Sequence, residues 1–288
     1  MGCPAAVVCG QEPLIWSFSS SPIAQEIGEY DYAGWFRGEP VEVIRGPITG
    51  LPIPATAEIV LEGEMVPPGG ETRVEGPFGE WTGYYASSAR PEPIFKIKAI
   101  LHRNNPIMVG APPLPLTSDP FKFGKNIIRS AEVWDDLERQ VPGVKGVWAV
   151  DEAAGPHMIV VSIEQKYGGH AKQTAMAVAG CYTSAYLNRF IIIVDDDIDP
   201  SNLSEVLWAL GTRCDPETSI DIIRQCYGTP LDPLLPPEKR ARRDFTHSKA
   251  IITACKPYYW RKDFPIPIGT RRELKEQVKQ KWRSVFES

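Results

Sequence analysis

A proline-rich stretch near the middle of the sequence constrains the fold most, because it separates two parts of different pattern. Five prolines fall within residues 106–120. Proline fixes φ and donates no backbone hydrogen bond, so this stretch is a poor candidate for a regular helix or strand. We therefore predict a linker at 106–120 between domains at 1–105 and 121–265, followed by a C-terminal arm and an amphipathic helix at 266–288.

The first part has the pattern of a β domain, with short apolar segments separated by Pro/Gly turns. Within it, residues 27–38 are predicted to form a short helix that ends at Gly38. Ile59 and Leu61 alternate with Glu58, Val60 and Glu62 in the pattern of a half-buried strand, so Ile59 and Leu61 are predicted to face the core. Several such strands indicate a barrel or a sandwich, or part of one. The predicted strands are 5–9, 41–44, 57–66 and 94–101.

The second part alternates helical and strand-like segments, which indicates an α/β layer domain. The apolar run at 189–199 fits a central parallel strand that is buried on both faces. Ser204 is a candidate N-cap for the helix that follows it. The further predicted elements are helices at 126–141, 171–185, 204–210 and 273–286, and a strand at 157–163.

Four aspartates follow the apolar run, at the edge where α/β proteins often bind ligands. A magnesium site is one interpretation of them. We favour a structural one, in which these aspartates cap helices and pair with Arg213. They are Asp195, Asp196, Asp197 and Asp199.

Charge and composition exclude some classes of function. The net charge of −5 offers no basic surface for nucleic acid or an anionic membrane, and the basic run at 239–243 is interpreted as solvated surface. No apolar run approaches the roughly 18 residues of a membrane span. The six cysteines show no metal-ligand spacing, so we predict reduced thiols in a cytoplasmic protein. The four histidines share no ligand spacing and are interpreted as structural or surface residues.

The best candidate for chemistry is the segment Glu-Gly-Pro-Phe-Gly-Glu, in which Glu75 and Glu80 flank a spacer that neither a helix nor a regular strand accommodates. The backbone is therefore predicted to turn. Two carboxylates aimed into one cavity raise each other's proton affinity, which produces a usable acid near neutral pH. A solvated turn with two surface glutamates is the alternative.

Several stretches together resemble the UbiD family of reversible decarboxylases, which use prenylated flavin mononucleotide (FMN). The resemblance implies a partial split β-barrel of the flavin-binding type, followed by an α/β layer domain and a C-terminal helix. The implied reaction is reversible, non-oxidative decarboxylation of an aromatic or α,β-unsaturated carboxylic acid. The stretches are 29–34, 57–63, 75–80, 83–84, 194–199 and 206–213.

The resemblance also implies roles for individual residues. Glu80 would be the proton donor, and Glu75 would belong to the ionic network that holds acid and cofactor. Glu29 would bind the cofactor phosphate through Mn²⁺, with K⁺ nearby. Three residues fall where relatives line the substrate pocket: Trp81, Thr229 and Leu231.

Members of the family carry an additional N-terminal half, which supplies an arginine to the two glutamates and further metal ligands. We therefore expect either a fragment or one part of a split enzyme, with a partner chain that supplies that half. A homo-oligomer through the C-terminal domain and helix is also expected. Two other functions are kept open: a non-catalytic assembly subunit and, from the glutamate pair alone, a retaining glycosidase.

Overall fold

The computed structural model describes residues 2–19, 26–85, 88–110, 120–154, 157–269 and 272–286. The chain divides into two compact units, residues 1–255 and 256–288. The six cysteines are free thiols, as predicted. None of the helices within the described ranges is both long enough and apolar enough to cross a membrane.

The first part of the larger unit is built mainly from strands, as predicted. Its strands are β1 (Cys3–Cys9), β2 (Val43–Arg45), β3 (Pro52–Pro54), β4 (Ile59–Met65), β5 (Thr72–Glu75), β6 (Arg90–Pro93) and β7 (Phe95–His102). Three of them form an antiparallel sheet in the order β1-β4-β7, and β2-β3 and β5-β6 form two antiparallel ribbons. The described strands form an open sheet, so closure into a split barrel stays a prediction.

The predicted core face of β4 is wrong. Val60 and Glu62 are 4% and 0% exposed, whereas Ile59 and Leu61 are half-buried. The Glu62 carboxylate tolerates burial because it accepts hydrogen bonds from Thr49 N (3.0 Å) and Thr49 Oγ1 (2.5 Å). Burial alone would raise the pKa of Glu62, but these hydrogen bonds lower it below its ordinary value.

Two short helices of the first part pack against each other. Helix α2 (Glu29–Arg37) ends as predicted, because Gly38 adopts the left-handed conformation at φ +81°. Helix α1 (Pro13–Phe18) was not predicted, and it packs its buried Phe18 against α2.

The second part is an α/β layer structure, as predicted. Its strands are β8 (Val144–Ala149), β9 (Met158–Ile163), β10 (Phe190–Asp195), β11 (Ile220–Cys226) and β12 (His247–Ala254). They form one sheet in the order β11-β12-β10-β9-β8, in which β12, β10 and β9 are parallel and the two edge strands are antiparallel. The helices are α3 (Pro120–Glu138), α4 (His170–Gly180), α5 (Tyr182–Ala185), α6 (Leu203–Arg213), α7 (Pro216–Ser219) and α8 (Pro237–Ala241).

Strand β10 is buried on both faces, as its unbroken apolar run predicted. Ile191 and Ile193 belong to the core cluster under α3 and α4, while Ile192 and Val194 belong to the cluster under α6. Helices therefore cover both faces of the sheet.

Two details of the helices differ from the predictions. The predicted helix at 171–185 is interrupted at Cys181, whose backbone is extended. Helix α6 begins earlier than predicted, so its N-cap is Asn202 and not Ser204. The Asn202 side chain accepts hydrogen bonds from Ser204 N (3.2 Å) and Glu205 N (3.4 Å).

The smaller unit contains helices α9 (Arg272–Lys281) and α10 (Arg283–Phe286), so the single helix predicted at 273–286 is interrupted at Trp282. The predicted apolar stripe is 42–61% exposed. It consists of Leu274, Val278, Trp282 and Val285.

Candidate functional site

The predicted turn between the two glutamates is present. Strand β5 ends at Glu75, and residues 76–80 lie outside any helix or strand. Gly76 has φ +84°, and the Gly76–Pro77 peptide bond is cis. A second turn follows directly at residues 80–84, with hydrogen bonds from Glu80 N to Tyr84 O (3.0 Å) and from Gly83 N to Glu80 O (2.8 Å). Glu75 is exposed and Glu80 is half-buried, so the two acids lie in different environments.

Aromatic side chains surround this turn and are open to solvent. Phe78, Tyr84 and Tyr85 are 52%, 62% and 75% exposed. Among the described residues, the buried hydroxyl of Thr82 has no hydrogen-bond partner. A planar ring system with polar edges could stack on these exposed aromatic side chains and offer a hydrogen-bond partner to the Thr82 hydroxyl.

Trp81 connects this turn to the α/β sheet. Its indole packs against the imidazole of His157 with 5.2 Å between ring centroids. His157 directly precedes β9 and is 9% exposed. The residue that follows Glu80 therefore contacts the amino-terminal edge of the parallel strands.

His157 belongs to a polar cluster at this edge, together with Arg189, Asp232 and His247. Arg189 precedes β10, His247 begins β12, and Arg189 forms an ion pair with Asp232. Burial and the positive charge of Arg189 lower the pKa of His157 to about 4. The pKa of His247 is lowered by the same two causes and by Lys249. Both imidazoles are thus held neutral near pH 7.

The pKa of Asp232 is lowered too. Burial alone would raise it, but hydrogen bonds from Leu234 N and Arg189 outweigh that effect. The cluster therefore contains an anionic carboxylate paired with a cationic guanidinium, next to two neutral imidazoles.

Two of the predicted pocket residues lie next to this cluster in sequence. Thr229 is 2% exposed, its hydroxyl accepts a hydrogen bond from Leu231 N (3.2 Å), and its carbonyl accepts one from Asp232 N (3.3 Å). The structure thus connects Trp81 with the loop of Thr229 and Leu231 through His157 and Asp232.

The described residues do not fit a complete metal centre. Glu29 lies exposed at the first position of α2. Across the described ranges, no three His, Cys, Asp or Glu side chains converge to hold a metal ion. Divalent cations such as Mg²⁺ and Ca²⁺ need several oxygen ligands, so Glu29 alone is not a sufficient site.

Two of the four aspartates, Asp195 at the end of β10 and Asp197, pair with Arg213 as we favoured, whereas the cap of α6 is Asn202 and not an aspartate. Arg213 is 6% exposed and donates to Asp195 (3.0 Å) and to both carboxylate oxygens of Asp197 (2.7 and 2.9 Å). Gln165 donates to the other oxygen of Asp195 (2.7 Å). The guanidinium therefore places one positive charge between these two carboxylates and hydrogen-bonds to both of them.

A cavity of about 420 Å³ borders the polar cluster. Its lining includes Arg189, Asp232, Leu235 and His247, but neither Glu75 nor Glu80. The two predicted acids therefore do not border this cavity.

Analysis of the sequence alone missed His157, Arg189 and Asp232. One signal was available, because His157 and Arg189 each stand at the amino end of a predicted strand. The amino ends of neighbouring parallel strands meet at the same edge of a sheet. Asp232 carried no such signal, since its pairing with Arg189 depends on how the loop folds back.

Comparison with known proteins identifies the family. A domain model described as the Rift-related domain of 3-octaprenyl-4-hydroxybenzoate carboxy-lyase matches residues 1–115, and one for the C-terminal domain of the same enzyme matches residues 124–254. The fold and these two matches therefore define the class of protein as one built from the two domains of 3-octaprenyl-4-hydroxybenzoate carboxy-lyase. The chain belongs to the UbiD family.

Individual relatives agree with this assignment. A phenolic acid decarboxylase of Bacillus subtilis (strain 168) is 36% identical over 235 residues, which are 80% of this chain and 48% of that protein. The vanillic acid decarboxylase ShVdcCD of Sedimentibacter hydroxybenzoicus in open form has a TM-score of 0.78 at 30% identity, over 100% of this chain and 59% of that one.

A third relative is described with a bound flavin. The UbiD-class enzyme HmfF from Pelotomaculum thermopropionicum, in complex with FMN, has a TM-score of 0.79 at 28% identity, over 93% of this chain and 56% of that one. This chain spans about half the length of the curated relatives that it matches.

Proposed function

We propose that this chain carries the proton-donating part of a carboxy-lyase that removes carbon dioxide reversibly from an aromatic or α,β-unsaturated acid. One observation carries the proposal: both glutamates of the family segment lie on one turn, and Trp81 on that turn contacts the polar cluster of the α/β sheet. Family membership and the names of the relatives support it.

The chemistry explains why such a site needs both a cofactor and an acid. Loss of carbon dioxide leaves negative charge on carbon, and prenylated FMN would supply the electron sink that amino-acid side chains lack. Glu80 is the proposed acid that protonates this carbon. Glu75 is its proposed electrostatic partner. The exposed Phe78, Tyr84 and Tyr85 would hold the planar part of the cofactor.

Glu29 is the proposed ligand of Mn²⁺ near the cofactor phosphate, with K⁺ as a second ion. Among the described residues, no three His, Cys, Asp or Glu side chains converge to complete such a centre. For that reason no step of the reaction is assigned to the metal.

For the substrate we propose a phenolic acid, the class named for the Bacillus subtilis relative. Trp81, Thr229 and Leu231 are the proposed pocket residues. An aromatic acid can pack against the indole of Trp81, which itself packs against the neutral imidazole of His157.

Glu80→Gln tests the proposal, because glutamine keeps the shape of the side chain but cannot donate a proton as an acid. In a complex reconstituted with prenylated FMN and the partner chain expected to supply the N-terminal half, we expect decarboxylation of vanillate and related acids to fall about 10²- to 10⁴-fold. The rate of deuterium incorporation at the carbon that loses carbon dioxide, measured in D₂O, should fall by the same factor.

Glu217→Gln, at an exposed position on α7, is the matched control and should retain activity. Retention of wild-type rates by Glu80→Gln would contradict the proposed role.

The alternative is a non-catalytic assembly subunit, and the exposed apolar stripe of the C-terminal helices favours it. In that case the protein with prenylated FMN would form its assembly without turnover, and Glu80→Gln would change nothing.

A further inference from the structure

The loop at 229–235 joins β11 to α8 without regular structure, but its interior is well buried. Thr229, Asp232 and Leu235 are 2%, 3% and 5% exposed. Within the loop, Leu234 N donates to Asp232 Oδ1 (2.9 Å) and Leu235 N to Asp232 O (3.1 Å). Neither of these bonds reaches Pro230 O or Leu235 O, and Asp232 O can still accept a second hydrogen bond.

Arg240 supplies those donors. Its guanidinium donates to Pro230 O (2.6 Å), Asp232 O (2.6 Å) and Leu235 O (3.1 Å). Three carbonyls of one loop thus converge on one planar cation. Such charge-assisted hydrogen bonds are stronger than neutral ones, and the rigid fork of arginine fixes their relative directions.

This contact contradicts our interpretation of the basic run at 239–243 as solvated surface. Arg240 is half-buried, and Lys239 donates to Thr246 O (2.8 Å). Arg242 is exposed, as interpreted.

A second arginine, Arg189, also binds the loop. Arg189 forms an ion pair with the Asp232 carboxylate, and their side chains are 17% and 5% exposed. That pair belongs to the cluster in which His157 contacts Trp81. Arg240 and Arg189 therefore fix the loop between α8 and the edge of the sheet that Trp81 contacts.

We propose that Arg240 is a positioning residue that sets the conformation of Thr229 and Leu231, and through them how well the pocket selects its acid. This inference rests on the proposed function, in which these two residues line the pocket. Arg240 would not touch the substrate, because its guanidinium is engaged by the loop carbonyls.

The first test needs no activity. Arg240→Ala is compared with Arg242→Ala, which removes the same charge two residues further along the chain. Hydrogen–deuterium exchange of the amides of Leu231, Asp232, Leu234 and Leu235 should become about tenfold faster or more in Arg240→Ala, since one lost hydrogen bond to a charged group corresponds to at least that factor. It should be unchanged in Arg242→Ala. Equal exchange in both variants would overturn the inference.

The second test uses steady-state kinetics with vanillate and a bulkier phenolic acid. A loosened pocket loses binding in the ground state and transition state alike, so Arg240→Ala should raise KM about tenfold for the better substrate with little change in kcat. Arg240→Lys retains the charge but not the fork, and should restore KM in part. Faster exchange with unchanged KM and unchanged preference would overturn the selective role.

Circular dichroism and the Tm of each variant separate local loosening from loss of the fold. Should Arg240→Ala fail to fold, Arg240→Lys carries the same comparison of exchange and KM. Failure of the proposed function would appear as an inactive wild-type protein, whereas failure of this inference would appear in the exchange of the loop amides.

Discussion

At the scale of single residues, His157 shows how much the surroundings of a side chain decide. Because the histidines share no ligand spacing, the sequence predicts a structural or surface role for His157, and its burial agrees with a structural role. Its contact with Trp81 also places it directly behind the candidate site. Both properties come from one fact, its position at the amino-terminal edge of the sheet.

The low pKa of His157 predicts how stability depends on pH. In the unfolded chain the imidazole takes up a proton near its ordinary pKa of 6.5, whereas the folded protein keeps it neutral down to about pH 4. The unfolded state therefore binds more protons between these values. The free energy of unfolding should fall as pH decreases from about 6.5 to 4.

Denaturant midpoints at pH 4.5 and pH 7 measure this loss. The difference between the two pH values should shrink in His157→Gln and persist in His102→Gln, which changes an exposed histidine. An unchanged pH dependence in His157→Gln would assign the loss to other groups.

At the scale of elements, the patterns predicted which segments are helices or strands better than which faces they bury. Strand β4 is the clearest case, since it buries Glu62 and leaves Leu61 half-buried. Strand β12 was not predicted, and it contains the buried Lys249. The ammonium of Lys249 donates to backbone carbonyls of Ala179, Ser184 and Ala185 (2.7–3.4 Å). Hydrogen bonds from distant segments make such burials possible.

The N-cap of α6 can be tested directly. Asn202→Ala should cost about 1 kcal/mol of stability, because two backbone N–H groups lose their acceptor. This corresponds to a fall in Tm of about 2–4 °C. Ser204→Ala, at the cap position that the sequence suggested, should change stability by less than about 0.5 kcal/mol. Thermal unfolding followed by circular dichroism distinguishes the two, and a larger loss in Ser204→Ala would contradict the cap.

At the scale of the whole molecule, the exposed apolar stripe along α9 and α10 is the surface through which we predict that a homo-oligomer forms. A helix with a continuous apolar face gains stability when that face is covered. If a second copy covers it, Trp282→Glu should lower the molar mass measured by light scattering at a fixed concentration.

Gln280→Glu adds the same charge on the opposite side of α9 and should leave the molar mass unchanged. The same mass for the wild type and both variants would mean that the stripe does not hold an oligomer together.

The sequence by itself determined the elements that depend on local preferences. The helix stop at Gly38, the turn between Glu75 and Glu80, and the doubly buried β10 all follow from backbone restrictions and apolar periodicity. The family motifs likewise predicted Glu75, Glu80, Glu29, Trp81, Thr229 and Leu231 as site residues, and those roles stay predictions.

Only the tertiary structure decided what depends on residues distant in the chain. It brought His157 against Trp81, paired Arg189 with Asp232, and turned Arg240 onto the carbonyls of the loop that contains Thr229 and Leu231. It also confirmed the pairing of Arg213 with Asp195 and Asp197, which the sequence favoured but could not decide. The physical reason is the same in each case: a buried polar group needs a specific partner, and no local pattern states which distant residue folding will place beside it.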